Sequence, residues 1–325
     1  SDADGTVAIG AYASPNLTSG IANTSVGYGA LYTEDDGDYN TAIGYEVFNK
    51  QTGTSGTTAN SGLGYRAGYY NTTGVKNTYI GYHSGFGVSG NPNSSNSALG
   101  YRSLVGITTG TVNTAMGESA GASATTASGS VFLGADAGGT VTTGNQNIAI
   151  GYDAMKGGTT TGDNNIAIGV SAGDALTSGK ENVFVGNFAG THLSTTTRTV
   201  CVGFEAGMNI ANAIGNTAVG WKALKQYDLE AENTAIGSEA MSGAGASNYC
   251  TALGAGALSG ATTADANFTV AIGYIAGRNI TSGQRNLAIG GYALESLTVG
   301  DDNIAIGYQA AYNLGTSTFA NRNIA

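Results

Sequence analysis

The sequence predicts an all-β fold, a β-solenoid of about eighteen coils. Three observations predict it. The pattern Asn-x-Ala-Ile-Gly recurs from one end of the chain to the other, as in Asn147–Gly151 and Asn303–Gly307. Most of its closing glycines lie 17 residues apart, and such a period is typical of repeat proteins. Glycine makes up 54 of the 325 residues but proline only 2, and there is no Gly-X-Y period of the collagen type.

The residues before each motif glycine predict a short strand, because small and β-branched residues are bounded there by Asn and Gly. With the glycine as position 0, position −1 is aliphatic in every copy and position −2 is usually alanine. Side chains alternate along a strand, so these columns lie on opposite faces. We expect the aliphatic column to fill the inside of each coil, and a second strand to occupy positions +1 to +4. The predicted core is Ile43, Ile80, Ile150, Ile168, Ile236, Ile289 and Ile306.

Asparagine at position −4 predicts a turn before each strand. Asparagine tolerates left-handed backbone and bonds to nearby backbone groups, and identical asparagines can stack as a ladder. We favour this structural role over ligand binding by the column. The predicted turn ladder includes Asn40, Asn77, Asn147, Asn165, Asn233 and Asn303.

Both faces of the predicted strand are uncharged, which indicates that both are covered. One face can fill the coil, and the alanine–glycine face then needs a close second surface, which a neighbouring subunit would supply. The sequence therefore predicts an oligomer. No domain boundary interrupts the repeats, so we expect one continuous array over residues 1–325, a fragment of a longer fibre chain. Stacked strands lie ~4.8 Å apart, which predicts a rod of roughly 85 Å.

The motif copies Asn147-Ile148-Ala149-Ile150-Gly151 and Asn303-Ile304-Ala305-Ile306-Gly307 resemble the head repeat of YadA-like trimeric autotransporter adhesins. The copy Thr41-Ala42-Ile43-Gly44-Tyr45 is similar to repeats of phage tail fibres. The resemblance covers essentially the whole chain. It implies a parallel β-solenoid of the left-handed β-roll type, a homotrimer and a role in attachment. The 17-residue period departs from the shorter adhesin repeat, which affects the loops more than the core.

Composition argues against several other functions. A net charge of −10 opposes nucleic-acid binding, which requires basic residues, and no apolar run has the ~20 residues needed for membrane insertion. The chain has only 2 histidines, and no pair of catalytic carboxylates is evident, so we expect no enzyme activity and no cofactor. The acidic run Asp35-Asp36-Gly37-Asp38 does not follow the spacing of known calcium loops, and we expect no metal site.

Tyrosine recurs at position +1, for example Tyr28, Tyr45 and Tyr65. Such a row could stack on sugars, but its regularity favours packing between coils. Recognition more often uses irregular loops, and two longer gaps between motif glycines lie near these tyrosines. The candidate surface contacts, with a host-cell glycan or protein receptor as partner, are Tyr69, Tyr70, His83 and Arg102.

These observations favour an extracellular attachment fibre, such as a phage tail-fibre shaft in a virion. The first alternative is the head of a trimeric autotransporter adhesin on a bacterial cell surface. A minor alternative is an ice-binding solenoid, which would need a regular row of threonines on a flat face. A glycan-degrading spike is disfavoured because no carboxylate pair of the glycosidase type is evident.

Overall fold

The structure is a computed structural model that describes residues 4–53, 56–210, 214–226, 231–243, 247–260, 266–314 and 322–325. All regular secondary structure within these ranges is β-strand, and none of it is helix. The chain divides into two compact units, Ser1–Asn164 and Asn165–Ala325. Each unit is a parallel β-solenoid, as the repeat period predicts.

In the first unit, strands separated by one repeat pair in parallel and in register. Thr24 of one strand pairs with Thr41 of the next, and Val26 pairs with Ile43. A small second sheet joins two short strands by the pairing of Gly37 with Gly56. The strands of this unit are β1 (Val7–Ile9), β2 (Thr24–Val26), β3 (Gly37–Asp38), β4 (Thr41–Ile43), β5 (Gly56–Thr57), β6 (Ser61–Leu63), β7 (Thr78–Ile80), β8 (Ser97–Leu99), β9 (Thr114–Met116), β10 (Val131–Leu133) and β11 (Ile148–Ile150).

The second unit repeats the same arrangement. Consecutive strands pair in parallel throughout, and a bridge from Ile304 to Ile324 extends the ladder to the last residues of the chain. Its strands are β12 (Ile166–Ile168), β13 (Val183–Val185), β14 (Val200–Val202), β15 (Thr217–Val219), β16 (Thr234–Ile236), β17 (Thr251–Leu253), β18 (Val270–Ile272), β19 (Leu287–Ile289) and β20 (Ile304–Ile306).

Positions +1 to +4 form turns, so the prediction of a second strand there is wrong. In the coil of Gly44, both Glu46 and Phe48 have left-handed backbone, with φ of 52° and 48°, which no extended strand contains. Hydrogen bonding between coils continues through these turns nonetheless. The Glu46 N–H donates to the Tyr28 carbonyl at 2.8 Å, and the Phe48 N–H donates to the Ala67 carbonyl at 3.0 Å.

The inside of each coil is lined by the alanine column at position −2, and the aliphatic column faces outward. The central residue of each motif strand from β2 to β20 is buried, whereas its neighbours on either side are half-buried or exposed. The prediction that the aliphatic column forms the core is therefore wrong for the single chain. The outward residues include all seven predicted core residues, namely Ile43, Ile80, Ile150, Ile168, Ile236, Ile289 and Ile306.

The reason is the small cross-section of a coil. Position −2 shares the interior with the alanines at position +3 and with the large side chains at position +4. From β2 to β20, where position −2 is serine, glycine or alanine, position +4 of the same or the preceding coil is large, as with Ala149 and Met155, both fully buried. Where position −2 is aromatic, position +4 is glycine: a Cβ added at Gly138 would lie 2.1 Å from the Phe132 ring. Interior volume is thus balanced between the two columns.

The asparagines at position −4 join each coil to the next through their side chains. Asn77 donates from Nδ2 to the Asn93 carbonyl at 2.8 Å, and its Oδ1 accepts the Asn96 N–H at 3.0 Å. The backbone at position −4 is not left-handed, because the positive φ falls one residue earlier, as at Lys76. Asparagine therefore serves the position by hydrogen bonding and not by tolerating an unusual φ. The six predicted ladder residues Asn40, Asn77, Asn147, Asn165, Asn233 and Asn303 are all buried.

Candidate functional site

The first candidate surface is the outward side of the motif strands, which we call the aliphatic face. It consists of positions −3 and −1, so Thr, Ser, Val, Ile or Leu alternates with Ile, Val, Leu or Met. Ile43, Leu99 and Met116 are 38%, 43% and 51% exposed, respectively. Contiguous apolar surface of this kind on a soluble protein marks an interaction site. Each of the two units carries such a face.

The aliphatic face of the first unit has a shallow concavity. It measures about 220 Å³ and lies over β7, β8 and β9. Ala98 and Ala115 form its floor, and both are almost fully buried. The larger side chains of Ile80, Leu99 and Met116 border it. The concavity can receive an apolar side chain from another surface.

The second candidate surface is a row of tyrosines at position +1, which we call the tyrosine stack. The rings of Tyr28, Tyr45, Tyr65, Tyr82 and Tyr101 lie 5.1–5.2 Å apart with interplanar angles of 8–13°. Their faces are therefore turned toward one another, and their edges and hydroxyls reach solvent. This geometry favours the packing role over sugar stacking for these rings.

Three of the predicted surface contacts meet in an aromatic cluster beside the stack. Tyr69 and Tyr70 lie edge to face at 4.7 Å, and Phe86 contacts both rings. His83 stacks on Phe86 at 4.5 Å and on Tyr82 at 4.1 Å. The cluster is largely internally packed, since Tyr69, Tyr70, His83 and Phe86 are all half-buried.

Two arginines set the charge around the cluster. Arg66 donates from Nε to the Glu46 carboxylate at 2.7 Å, and its guanidinium lies 5.2 Å from the Tyr69 ring centroid. Arg102 occupies the same repeat position as His83, one coil further on, and is exposed. Burial, Arg66 and Arg102 together lower the pKa of His83. Its Nε2 is buried without a hydrogen-bond partner, so a neutral ring fits this place better than a charged one.

A groove opens at the N-terminal end of the tyrosine stack, and we call it the aromatic groove. It has a volume of about 390 Å³. Tyr12 and Tyr32 lie outside the stack: the Tyr12 ring is 5.6 Å from Tyr28 at 83°, and 6.1 Å from Tyr32 at 61°. The lining residues are Tyr12, Tyr28, Gly29, Tyr32, Glu46, Asn49, Lys50 and Tyr69.

In the portion of the chain described, Glu34, Asp35 and Asp36 form a group of three acidic side chains, each with a carboxylate oxygen within 4.8 Å of the others. Glu34 is fully buried, and its Oε1 accepts the Gly37 N–H at 2.8 Å and the Asp35 N–H at 3.2 Å. Its Oε2 accepts Gln51 Nε2 at 2.6 Å. These donors occupy the carboxylate, so its contacts are those of a structural group and not of an open cation site.

Tyr12, Tyr32 and Lys50 were not predicted as neighbours of the candidate contacts. For Tyr32 the signal is position +5, which also holds Tyr69 and Phe86, whereas Tyr12 at +2 and Lys50 at +6 have no such signal. Only position +1 was read as an aromatic column, whereas turns bring +1 and +5 to the same side of a coil.

No family model and no curated protein sequence matches the chain. In the described part, no helix has the length and apolar character needed to cross a membrane.

Proposed function

We propose that the chain is a structural attachment fibre whose aliphatic face packs against further copies of itself, as a homotrimer of left-handed β-rolls. The fibre spaces and presents surfaces that contact a host cell. A phage tail-fibre shaft is the form that we favour, and the head of a bacterial surface adhesin is the alternative. Both place the protein outside the cell.

The observation that carries the proposal is the outward aliphatic face. Burying apolar surface is worth about 25 cal/mol per Å², and a row of half-exposed isoleucines, valines and leucines offers such surface in coil after coil. A second copy of the same period presents the same spacing, so its side chains can enter the same concavities in register. The predicted contact between subunits was on the alanine–glycine face of the strand. The contact belongs on the aliphatic column, because the alanines are inside.

A repeat array also suits the mechanical side of the function. Each coil bonds to the next through backbone groups and through the asparagine ladder, so stiffness comes from many similar contacts. Weak contacts to a host surface, repeated along a fibre and across three chains, add by multivalency. The proposal involves no catalytic step and no cofactor.

The test is the solution mass of the full chain, measured by light scattering after size exclusion. A mass three times the 32.3 kDa of one chain is expected across a wide range of protein concentration. A monomer at all concentrations would contradict the proposal. Binding of the labelled protein to candidate host cells then tests attachment separately from assembly.

Ice binding is a second candidate, because the aliphatic face also carries threonine. Thr24, Thr41, Thr78 and Thr114 lie at position −3 of one outward face, with serine in the coils between them. Thermal hysteresis of the same sample decides this candidate. Measurable hysteresis would favour ice binding, and no hysteresis at millimolar protein concentration would exclude this function.

A further inference from the structure

We propose that the aromatic groove binds an acidic oligosaccharide, with a pyranose ring against Tyr12 or Tyr32 and a carboxylate against Lys50. The inference rests on the proposed attachment function and gives it a site and a ligand class. It differs from sugar binding by the tyrosine stack, whose ring faces are already occupied by one another.

The rings that remain available are the two outside the stack. Tyr12 is 58% exposed and Tyr32 is 38% exposed. Tyr69 is held by other contacts, since Phe86 stacks on it at 5.5 Å and Arg66 and Lys50 lie near its ring. An exposed tyrosine provides a rigid apolar surface with a hydroxyl at its edge. Such a surface matches a pyranose ring, which has an apolar C–H face bordered by hydroxyls.

The groove also provides polar groups at the edge of these rings. Asn49, Glu46 and Lys50 line it together with the tyrosines. A volume of about 390 Å³ lies in the ~300–1,000 Å³ range of small-molecule sites, which combine aromatic walls with a few polar groups. Two or three sugar units of a longer chain would occupy such an open groove.

The charges select an acidic sugar over a neutral one. Glu46 is paired with Arg66 at 2.7 Å, so this pair contributes no net charge. Among the residues described in the first unit, no carboxylate lies within ion-pair distance of Lys50, whose ammonium sits 5.7 Å from the Tyr69 ring centroid. A ligand carboxylate can complete that site with a charge-assisted hydrogen bond.

The one glycine of the groove lining packs closely against two other lining residues. Gly29 belongs to the lining, and a Cβ there would lie 3.1 Å from the Asn49 amide and 3.3 Å from Glu46. Asn49 Nδ2 donates to the Gly29 carbonyl at 2.9 Å. The floor is therefore fixed before a ligand arrives, which reduces the entropy lost on binding.

The experiment uses the full chain, fluorescently labelled, on a glycan array that holds matched acidic and neutral oligosaccharides. We expect binding to saccharides that contain uronic or sialic acid. For the best of them, Tyr32→Ala and Tyr12→Ala should each weaken binding at least ten-fold, and Tyr32→Phe should retain it. Lys50→Gln should weaken binding of the acidic saccharide several-fold and remove its salt dependence. The matched control is Tyr39→Ala, because Tyr39 is an exposed tyrosine of the same unit that does not line the groove.

Three results would overturn the inference: no acidic saccharide bound, unchanged binding by both tyrosine variants, or equal binding of neutral saccharides. Thermal unfolding of each variant checks that the coil is intact. Failure of the groove is distinguishable from failure of the attachment function. A trimer that binds host cells equally well with and without Tyr32 would contradict only the proposal for the groove. A monomer that still binds saccharides through Tyr32 would contradict only the proposal for the fibre.

Discussion

At the scale of single residues, the motif glycine of an internal coil leaves no room for a side chain. Gly44 has φ of +133°, and a Cβ added there would lie 2.0 Å from the Gly64 carbonyl oxygen of the next coil. Gly44→Ala should therefore lower the free energy of unfolding by about 3 kcal/mol or more. Gly90→Ala is the control, because Gly90 has φ of +81° with no atom within 4 Å of an added Cβ. It should cost only about 1–2 kcal/mol, and equal costs in urea titrations would contradict the close-approach argument.

The asparagine ladder depends on one side chain making bonds in two directions. Asn233 Nδ2 donates to the Ser247 carbonyl at 2.7 Å, and its Oδ1 accepts the Cys250 N–H at 2.9 Å. Asn233→Ala removes both of these buried hydrogen bonds, which should cost about 2–4 kcal/mol. Asn233→Ser should cost less, because Ser130 fills the same repeat position and its Oγ accepts the Asn147 N–H. Denaturant titration of both variants is the measurement, and equal losses would contradict a hydrogen-bonding role.

Glu34 should give the chain a distinctive dependence on pH. Burial raises the pKa of Glu34, and this effect exceeds the lowering by hydrogen bonds from Gly37, Gln51 and Asp35. An acid with a raised pKa in the folded state favours folding most when it is protonated. Its contribution is thus complete below the ordinary glutamate pKa of about 4.3 and is lost as the pH rises through the folded-state pKa.

The comparison of wild type with Glu34→Gln isolates this effect from the other carboxylates. The free energy of unfolding of wild type minus that of the variant should fall as the pH rises above about 4.3. Urea titrations at closely spaced pH values measure it. A difference that stays constant, or one that grows with pH, would show that burial does not dominate at Glu34.

At the scale of the coil, the sequence was sufficient to predict the repeat and its strand. It was not sufficient to predict which face of that strand points into the coil. Alternation separates Ala42 from Ile43 and Thr41, and it leaves open which side is inside. Hydrophobicity alone favours isoleucine, whereas the narrow interior favours alanine because the +4 side chain already fills it. The volume balance between −2 and +4 was present in the sequence, as in Phe132 with Gly138 and Ala149 with Met155. It identifies the inner face without a structure.

This volume balance predicts compensation between two positions of one coil. Phe132→Ala should cost about 3–5 kcal/mol by leaving a cavity, and Gly138→Met alone should be destabilising because its Cβ would meet the Phe132 ring at 2.1 Å. The double variant copies Ala149 and Met155 of the next coil, so it should be clearly more stable than either single variant. A double-mutant cycle from urea titrations measures the coupling. Additive losses would mean that the two columns do not share one interior space.

At the scale of the whole chain, the period of the repeat was predictable and the composition of the candidate surfaces was not. The spacing of the motif glycines fixes how coils stack. Which columns meet on one surface depends on the turn at positions +1 to +4, where the left-handed residues Glu46 and Phe48 have no marker such as glycine. For this reason the sequence named Tyr69, Tyr70 and His83 as candidate contacts but did not place Tyr12 and Tyr32 near Tyr69.

The aliphatic face provides the last prediction, because a charge there should affect assembly and leave the coil intact. Leu99 borders the concavity on this face and points away from the interior. Leu99→Asp should therefore retain the thermal stability of an isolated chain while the mass falls from that of three chains toward that of one. A buried aspartate in a subunit contact leaves an unpaired charge. The protein concentration at which the oligomer dissociates should therefore rise at least ten-fold.

Val112→Asp is the matched control, since Val112 is 62% exposed in the same unit but lies at position −5, outside the strand Thr114–Met116 and outside the lining of the concavity. It makes the same change in charge and polarity, and it should keep the mass of wild type. Light scattering over a range of concentrations measures both variants. If Leu99→Asp assembles like wild type, or if Val112→Asp dissociates to the same extent, the contact between copies does not use the aliphatic face. Dissociation of Leu99→Asp alone would place the contact on the column that the sequence had assigned to the interior.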